Sequence, residues 1–326
     1  MKMDESTNVA VAQPRAQCRL WAEDEATFTT LKVGQLRHNF HEHPLLQLAA
    51  LEDLASDLMP LHQCRFVRPG ITQASSFAHA DQHPDGLSIE QVFNRIEEPG
   101  SWIALYNVES IPRYQSLLTE ILDTMRPLVE EEQGAIFMET GFIFVSAPPS
   151  VTPFHIDREN NFWLQLHGRK TMNVWDNTDR TTIPADVVED YIVAHQAKKV
   201  RFKEELRSRS HAFDVGPGDG VYFPSTSPHM TKSDRAWVRP GDGVSISFGV
   251  NFYTDHTRQT ARVHQINRLL RKGLRVTPAS PGQSRVVDAA KAPVGQMIGA
   301  TRQLGKTLLS PIVLKKPATP PPPGSY

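Results

Sequence analysis

Apolar residues recur at helical spacing through the run LLQLAALEDLASDLM, at Leu45, Leu48, Leu51, Leu54, Ala55 and Leu58, and Pro60 follows its end; this pattern predicts an amphipathic helix. RFVRPG (65–70) reads as a short strand. SIEQVFNRIEEPG (88–100) reads as a helix with Ser88 as N-cap and Gly100 past its end. SWIALYNV (101–108) is strand-like, and 111–132 reads as one long helix with Pro112 in its first turn and Pro127 as a kink. Residues 1 to about 30 show no pattern and read as a loose leader.

The pattern changes after Gly134. AIFMETGFIFVSAPP, TPFHIDRENNFWLQLHG, KTMNVWD, HAFDVGPGDGVYFPS and DGVSISFGVNFYTD are aromatic and β-branched runs cut by Gly, Pro and Asp turns. They predict an antiparallel barrel or sandwich over 134–255, with an insertion at 176–213 whose segment 183–206 is charged and helical. A basic helix is expected over 256–275, with Val263, Ile266 and Leu270 on one side. Residues 276–326 read as a Pro-rich, partly disordered tail, with a short helix at 294–309 and the low-complexity end KKPATPPPPGSY. Residues 31–133 are then a helical and mixed N-terminal part packing on the core.

Composition narrows the class. A chain of 326 residues with 39% hydrophobic content can bury a sizeable core. Two cysteines, Cys18 and Cys64, are too few for a disulfide framework or a thiolate zinc site. The acid-bearing N-terminal stretch has no apolar signal region, and no run approaches a membrane span, so a cytoplasmic protein is expected. Lysine and arginine total 35 and the acids 36, but the charges are segregated. Residues 256–326 hold 12 Lys/Arg and one acid, Asp288, about +11, while residues 1–255 hold 23 against 35, about −12. The basic region is expected to pack on the barrel or to pair with a second subunit; a nucleic-acid arm is the less favoured reading, and no membrane partner is expected.

The chemistry concentrates in TPFHIDRENNFWLQLHGRKTMNVWD and GPGDGVYFPSTSPHMTKS. His155 and Asp157 lie two apart in a strand-like run and leave the same face. His229 comes 74 residues after His155. Two imidazoles and one carboxylate on one side of a metal form the facial triad of non-haem Fe(II), with coordination positions left open. Lys170, 15 residues after His155, returns beyond the HGR turn and can pair with the far carboxylate of a 2-oxo diacid. Taken alone it reads first as a solvated hairpin lysine.

These residues resemble the jumonji-C/cupin-like Fe(II) and 2-oxoglutarate-dependent oxygenases, most closely in the pattern of the asparaginyl hydroxylase of hypoxia-inducible factor. Thr152, three residues before His155, Asn161, six after it, and Lys170 match that family's offsets, and NFY (Asn251, Phe252, Tyr253) matches its late-strand Asn-Phe-aromatic run. The resemblance covers roughly 134–255. It implies a mainly β fold, a double-stranded β-helix (cupin, jelly-roll) core with flanking N-terminal and C-terminal helices. It also implies iron on His155, Asp157 and His229, and 2-oxoglutarate among Lys170, Thr152, Asn161 and Asn251, with Phe144, Trp163 and Thr231 lining its pocket. Phe144 and Trp163 read equally as barrel core. An aromatic residue on the 101–108 strand, Trp102 or Tyr106, takes the place of the family's frequent tyrosine.

The activity implied is a dioxygenase that consumes O2 and 2-oxoglutarate, releases succinate and CO2, and hydroxylates an amino acid, a peptide, a protein side chain or a small molecule. An N-methyl-lysine demethylase and a non-catalytic cupin-fold metal-binding regulator are the alternatives. Other candidates carry less. His38, His41 and His43 in HNFHEHP read as capping or packing histidines before a second metal site. His167 reads as a turn residue, and PGDG (217–220) as a tight turn, since it lacks the Lys-Ser/Thr of a phosphate loop.

Overall fold

The computed structural model describes residues 18–67, 70–75, 80–234, 236, 243–284 and 286–297. In chain order these form strands Leu20–Ala22 (β1) and Gly34–His38 (β2), helix Leu48–Leu58 (α1), strand Cys64–Phe66 (β3), helix Ile89–Asn94 (α2) and strand Trp102–Leu105 (β4). Helices Pro112–Asp123 (α3) and Arg126–Gln133 (α4) precede strands Ile136–Ser146 (β5), Ser150–His155 (β6), Asn160–His167 (β7) and Lys170–Val174 (β8). Helix Ala185–Ala194 (α5) leads to strands His211–Val215 (β9), Asp219–Phe223 (β10), His229–Ser233 (β11) and Ser245–Thr254 (β12), then helix Asp255–Gly273 (α6).

The eight strands β5 to β12 pass back and forth between two sheets, except that β8 and β9 form a hairpin within one of them. β10-β7-β12-β5 are neighbours in one and β6-β11-β8-β9 make the other, all antiparallel. Consecutive strands that swap sheets in this way define the double-stranded β-helix expected from the sequence. The larger sheet is widened to eight strands by β2 and β1 on one edge and β4 and β3 on the other.

Period-two side-chain alternation explains where the core sits. On β12, Ile246, Phe248, Val250 and Phe252 join one apolar cluster with Phe162, Leu164 and Leu166 of β7, Leu54 and Leu58 of α1, and Leu117, Leu118 and Ile121 of α3. The main core therefore lies outside the larger sheet, beneath the helices. Each of these fully buried side chains contributes about 1.5–3 kcal/mol relative to exposure. The alternate residues, Ser245, Ser247, Gly249 and Asn251 of β12 and Asn161, Trp163 and Gln165 of β7, face the space between the sheets. There Trp163, Met172, Val174, Val215, Val221 and Phe223 form a second, smaller cluster.

Several local expectations are corrected. The leader read over 1–30 yields structure from Leu20, which pairs with His38 across β1 and β2; residues 1–17 lie outside the described residues. The helix read over 111–132 is two helices, because the chain breaks at Thr124 and Met125, and Pro127 sits in the first turn of α4, where its missing N–H costs nothing. The helix read over 88–100 stops at Asn94; Ser88 does cap it, in a capping box with Gln91. The 183–206 segment is α-helical only over Ala185–Ala194, ending at His195 in the left-handed region (φ 53°), with a 3-10 turn at Glu204–Arg209. Residues 286–297 are helical and cross α6 closely at Gly295, where a Cβ would lie 2.7 Å from the Arg262 carbonyl; the remainder of the helix read at 294–309, and the tail, fall outside the described residues.

The basic helix α6 begins at Asp255 with Thr254 as its cap and packs on α5 of its own chain. Arg271 forms two hydrogen bonds to the buried Glu189 (3.0 and 3.2 Å), and Arg268 (2.8 Å) and Lys272 converge on the buried Asp190. Three of its cations are thus engaged within the fold. No helix among the described residues is long and apolar enough to cross a membrane.

Candidate metal centre and cosubstrate pocket

β6 delivers His155 at its last residue, and the turn that follows carries Asp157. β11 delivers His229 at its first residue, directly opposite His155 in the strand pairing. The His229 Nε2 lies 3.4 Å and the His155 Nε2 3.9 Å from Asp157 Oδ2, and one ligand atom from each of the three side chains lies within 4.8 Å of the others. Each imidazole places Nδ1 against a backbone carbonyl, Pro153 at 2.7 Å and Ser227 at 3.0 Å. A carbonyl only accepts, so Nδ1 carries the proton and the Nε2 lone pair faces the shared space. Burial, and then the neighbouring His155, lower the His229 pKa to about 4, which keeps it neutral and ligand-competent at pH 7.

The backbone around Asp157 is held from the opposite loop. Thr226, in the left-handed region at φ 65°, donates its N–H to the Asp157 carbonyl at 2.8 Å, and the Ser225 hydroxyl donates to the Arg158 carbonyl at 2.7 Å. Burial, and then the Asp157 charge, raise the pKa of Tyr106 and Tyr191.

The sequence-nominated cosubstrate residues line the space between the sheets. Asn161 and Asn251 are register partners across β7 and β12, and Thr152 and Thr231 across β6 and β11. Trp163 pairs with Gly249, and Phe144 with Ser247. Lys170 is 3% exposed and its Nζ donates to the Ser247 hydroxyl at 3.2 Å, so the hairpin-lysine reading is replaced by a buried one. Burial lowers its pKa to about 8. Trp102 and Tyr106 both pack on Phe144, with ring centroids 5.7 and 6.2 Å away, and both belong to this wall.

Two orphaned groups bear on what the space holds. The carboxamide oxygens of Asn161 and Asn251 are buried without a hydrogen-bond partner, an arrangement that proteins tolerate where a ligand or ion completes it. Gly249 sits between them: a Cβ there would meet both side chains at 3.4 Å, so the glycine keeps this interior face open. An open, polar, lysine-bearing space beside a two-histidine, one-carboxylate cluster fits a chelating 2-oxo diacid on a divalent metal. Ser247 and Gly249 were missed in the sequence reading, although the alternation in SISFGVN (245–251) marks both as facing away from the apolar core.

The other candidates resolve into structural roles. His38 Nε2 lies 3.1 Å from the carbonyls of both Gln165 and Asp219, and burial lowers its pKa to about 4. His43 Nδ1 accepts from the Leu45 N–H. Among the described residues, His155, Asp157 and His229 are the cluster suited to a metal. The PGDG turn joins β9 to β10, with Asp219 accepting from the Gly216 N–H at 2.8 Å, and His229 follows a second loop.

Strand order and site geometry together define a cupin-like double-stranded β-helix that carries a candidate metal centre. Residues 128–257 match the sequence profile of the JmjC domain, a span that contains the whole double-stranded β-helix and all three candidate metal ligands. Among solved structures the chain is similar to YcfD, a ribosomal oxygenase from Escherichia coli. One such structure matches at 16% identity and a TM-score of 0.35, over 78% of this chain and 59% of that one. A second matches at 16% and 0.42, over 91% and 73%. A third, in complex with cobalt and 2-oxoglutarate, matches at 15% and 0.43, over 88% and 66%. The chain thus spans 59% of the length of the first of these. No curated protein matches the sequence.

Proposed function

We propose that the protein is an Fe(II)- and 2-oxoglutarate-dependent dioxygenase that hydroxylates a C–H bond of an amino acid, a peptide or a small molecule. The observation that carries this reading is the juxtaposition, in one barrel, of the His155, Asp157 and His229 cluster with a buried lysine and two unpartnered carboxamide oxygens. The match of residues 128–257 to the JmjC domain and the family-like offsets of Thr152, Asn161 and Lys170 support it.

His155 and His229 would hold iron through Nε2 and Asp157 through its carboxylate, leaving positions for a chelating 2-oxo acid. The bound metal and cosubstrate would supply the oxidising chemistry, with O2 giving one oxygen atom to 2-oxoglutarate as it becomes succinate and CO2 and the other to the hydroxylated substrate. The chain's own part is positional and electrostatic. The Pro153 and Ser227 carbonyls fix the tautomer and ring plane of the two imidazoles. Lys170, aimed by Ser247, would neutralise the far carboxylate of the cosubstrate inside the barrel, where an ammonium without that anion is poorly solvated. Asn161 and Asn251 would turn their carboxamides to the same ligand, while Trp163, Met172, Val174 and Phe223 exclude water from that end.

Anaerobic titration of the protein with Fe(II) and 2-oxoglutarate tests the site. A visible metal-to-ligand absorption band that needs both components, and that is lost in His229→Ala, is the expected result. Absence of the band in the wild type overturns the proposal.

A further inference from the structure

A cavity of about 530 Å³ opens between α6 and the loops behind Asp157. Its walls are Phe137 and Tyr253 on the two sheet strands, Ile192 of α5, and Arg158, Arg258 and Arg262. Among the described residues that line it there are three guanidinium groups and no carboxylate. The acids nearby are already engaged. Asp255 receives Arg258 at 3.1 Å, and Glu159 accepts the Tyr253 hydroxyl at 2.6 Å.

The aromatic wall is ordered. Phe137 and Tyr253 stack with centroids 5.7 Å apart and planes 19° from parallel, and the Arg258 guanidinium lies 3.9 Å over the Phe137 ring. Arg262, one helical turn further along α6, has no ion-pair partner among the described residues. His264, 2% exposed, also lines the cavity, and its Nδ1 is buried without a hydrogen-bond partner. A ligand-sized volume with aromatic walls, an uncompensated arginine and an orphaned buried nitrogen has the composition of a built site rather than a packing defect.

We propose that this cavity binds a small organic anion that carries a flat apolar part, an aryl or similar carboxylate, at a position separate from the space between the sheets. The apolar part would lie against Phe137, Tyr253 and Ile192. The anionic group would meet Arg262, whose planar fork suits a carboxylate. The floor of the cavity, Arg158, Ser225 and Thr226, is the loop pair that holds the Asp157 backbone. An occupant would therefore contact residues one bond network away from the candidate metal ligand. This site does not depend on the dioxygenase reading.

Anilinonaphthalene sulfonate, a flat aromatic anion, is a suitable probe for fluorescence titration of the full chain, with near-ultraviolet circular dichroism to verify the fold. Saturable binding at one site per chain is expected. Arg262→Gln, which removes the charge and keeps the Cβ that packs on Gly295, should weaken it about tenfold, equivalent to about 1.4 kcal/mol. Ala261→Phe, which fills the cavity, should abolish it, and neutral N-phenylnaphthylamine should bind at least about tenfold more weakly than the sulfonate. No binding, binding unchanged in folded Arg262→Gln, or equal binding of the neutral probe would overturn the proposal.

Discussion

His229 stands opposite His155 in the pairing of β6 with β11, with ring centroids 4.0 Å apart, and each imidazole sets Nδ1 on the backbone carbonyl two residues upstream. The same local device therefore orients both rings, and Asp157 completes the cluster from the turn after β6. A divalent metal added to the purified chain should stabilise it, by about 2.7 kcal/mol at a hundred times its dissociation constant. Asp157→Ala, at a part-exposed position, should fold and lose this response. Thermal unfolding with and without Co(II) measures both.

The burial of Lys170 is a cost to stability. Its depressed pKa, about 8 against 10.5, means that holding it charged at pH 7 costs about 3 kcal/mol. Lys170→Met should raise the unfolding midpoint while weakening 2-oxoglutarate binding by about a hundredfold. In the wild type the charge is lost as pH rises through about 8, so 2-oxoglutarate affinity measured by calorimetry should fall between pH 7 and pH 9.

Gly249 tests the openness of the pocket without touching a charged group. Its missing Cβ would meet Asn161 and Asn251 at ordinary contact distance, so Gly249→Ala should retain 2-oxoglutarate binding. Gly249→Val, whose branches extend further into the same space, should fold and lose about tenfold or more in 2-oxoglutarate affinity.

Three buried histidines make stability fall in acid. His38 and His229 have pKa values lowered to about 4 and His264 to about 3, in each case chiefly by burial, so the unfolded chain binds protons that the folded chain refuses. Stability from this source is complete above about pH 6.5 and declines as pH falls toward 4, by up to about 1.4 kcal/mol per pH unit for each histidine. Urea midpoints of the metal-free protein should drop across this window, and His38→Gln should make the slope shallower.

The clamp between α5 and α6 predicts a local effect. Arg271→Ala leaves the Glu189 carboxylate, 1% exposed, without its two hydrogen bonds and should cost about 3 kcal/mol. Faster proteolytic cleavage within 176–210, at unchanged metal binding, is the expected sign.

The candidate metal cluster was legible because it rests on short, regular spacings. His155 and Asp157 share a face at an interval of two, and the HGR turn fixes where Lys170 returns. Asn161 and Asn251, named from offsets, meet as register partners because β7 and β12 are adjacent in the barrel. What was illegible depends on distant pairing. β1 is only three residues long and β2 is half polar; β2 gains its strand character by adding to the edge of β10, and β1 by adding to β2. Ser247 became significant only when β12 placed it under Lys170. The charges of α6 looked free for a partner because Glu189 and Asp190, which engage them, lie about 80 residues earlier.

Turnover tests the account most directly. Protein loaded with Fe(II) and given O2 and isotopically labelled 2-oxoglutarate should release labelled succinate and CO2 in equal amounts, and His155→Ala, folded by circular dichroism, should release neither. Failure of the iron-loaded wild type to form succinate above the His155→Ala background, across a panel of amino acids and peptides, would contradict it.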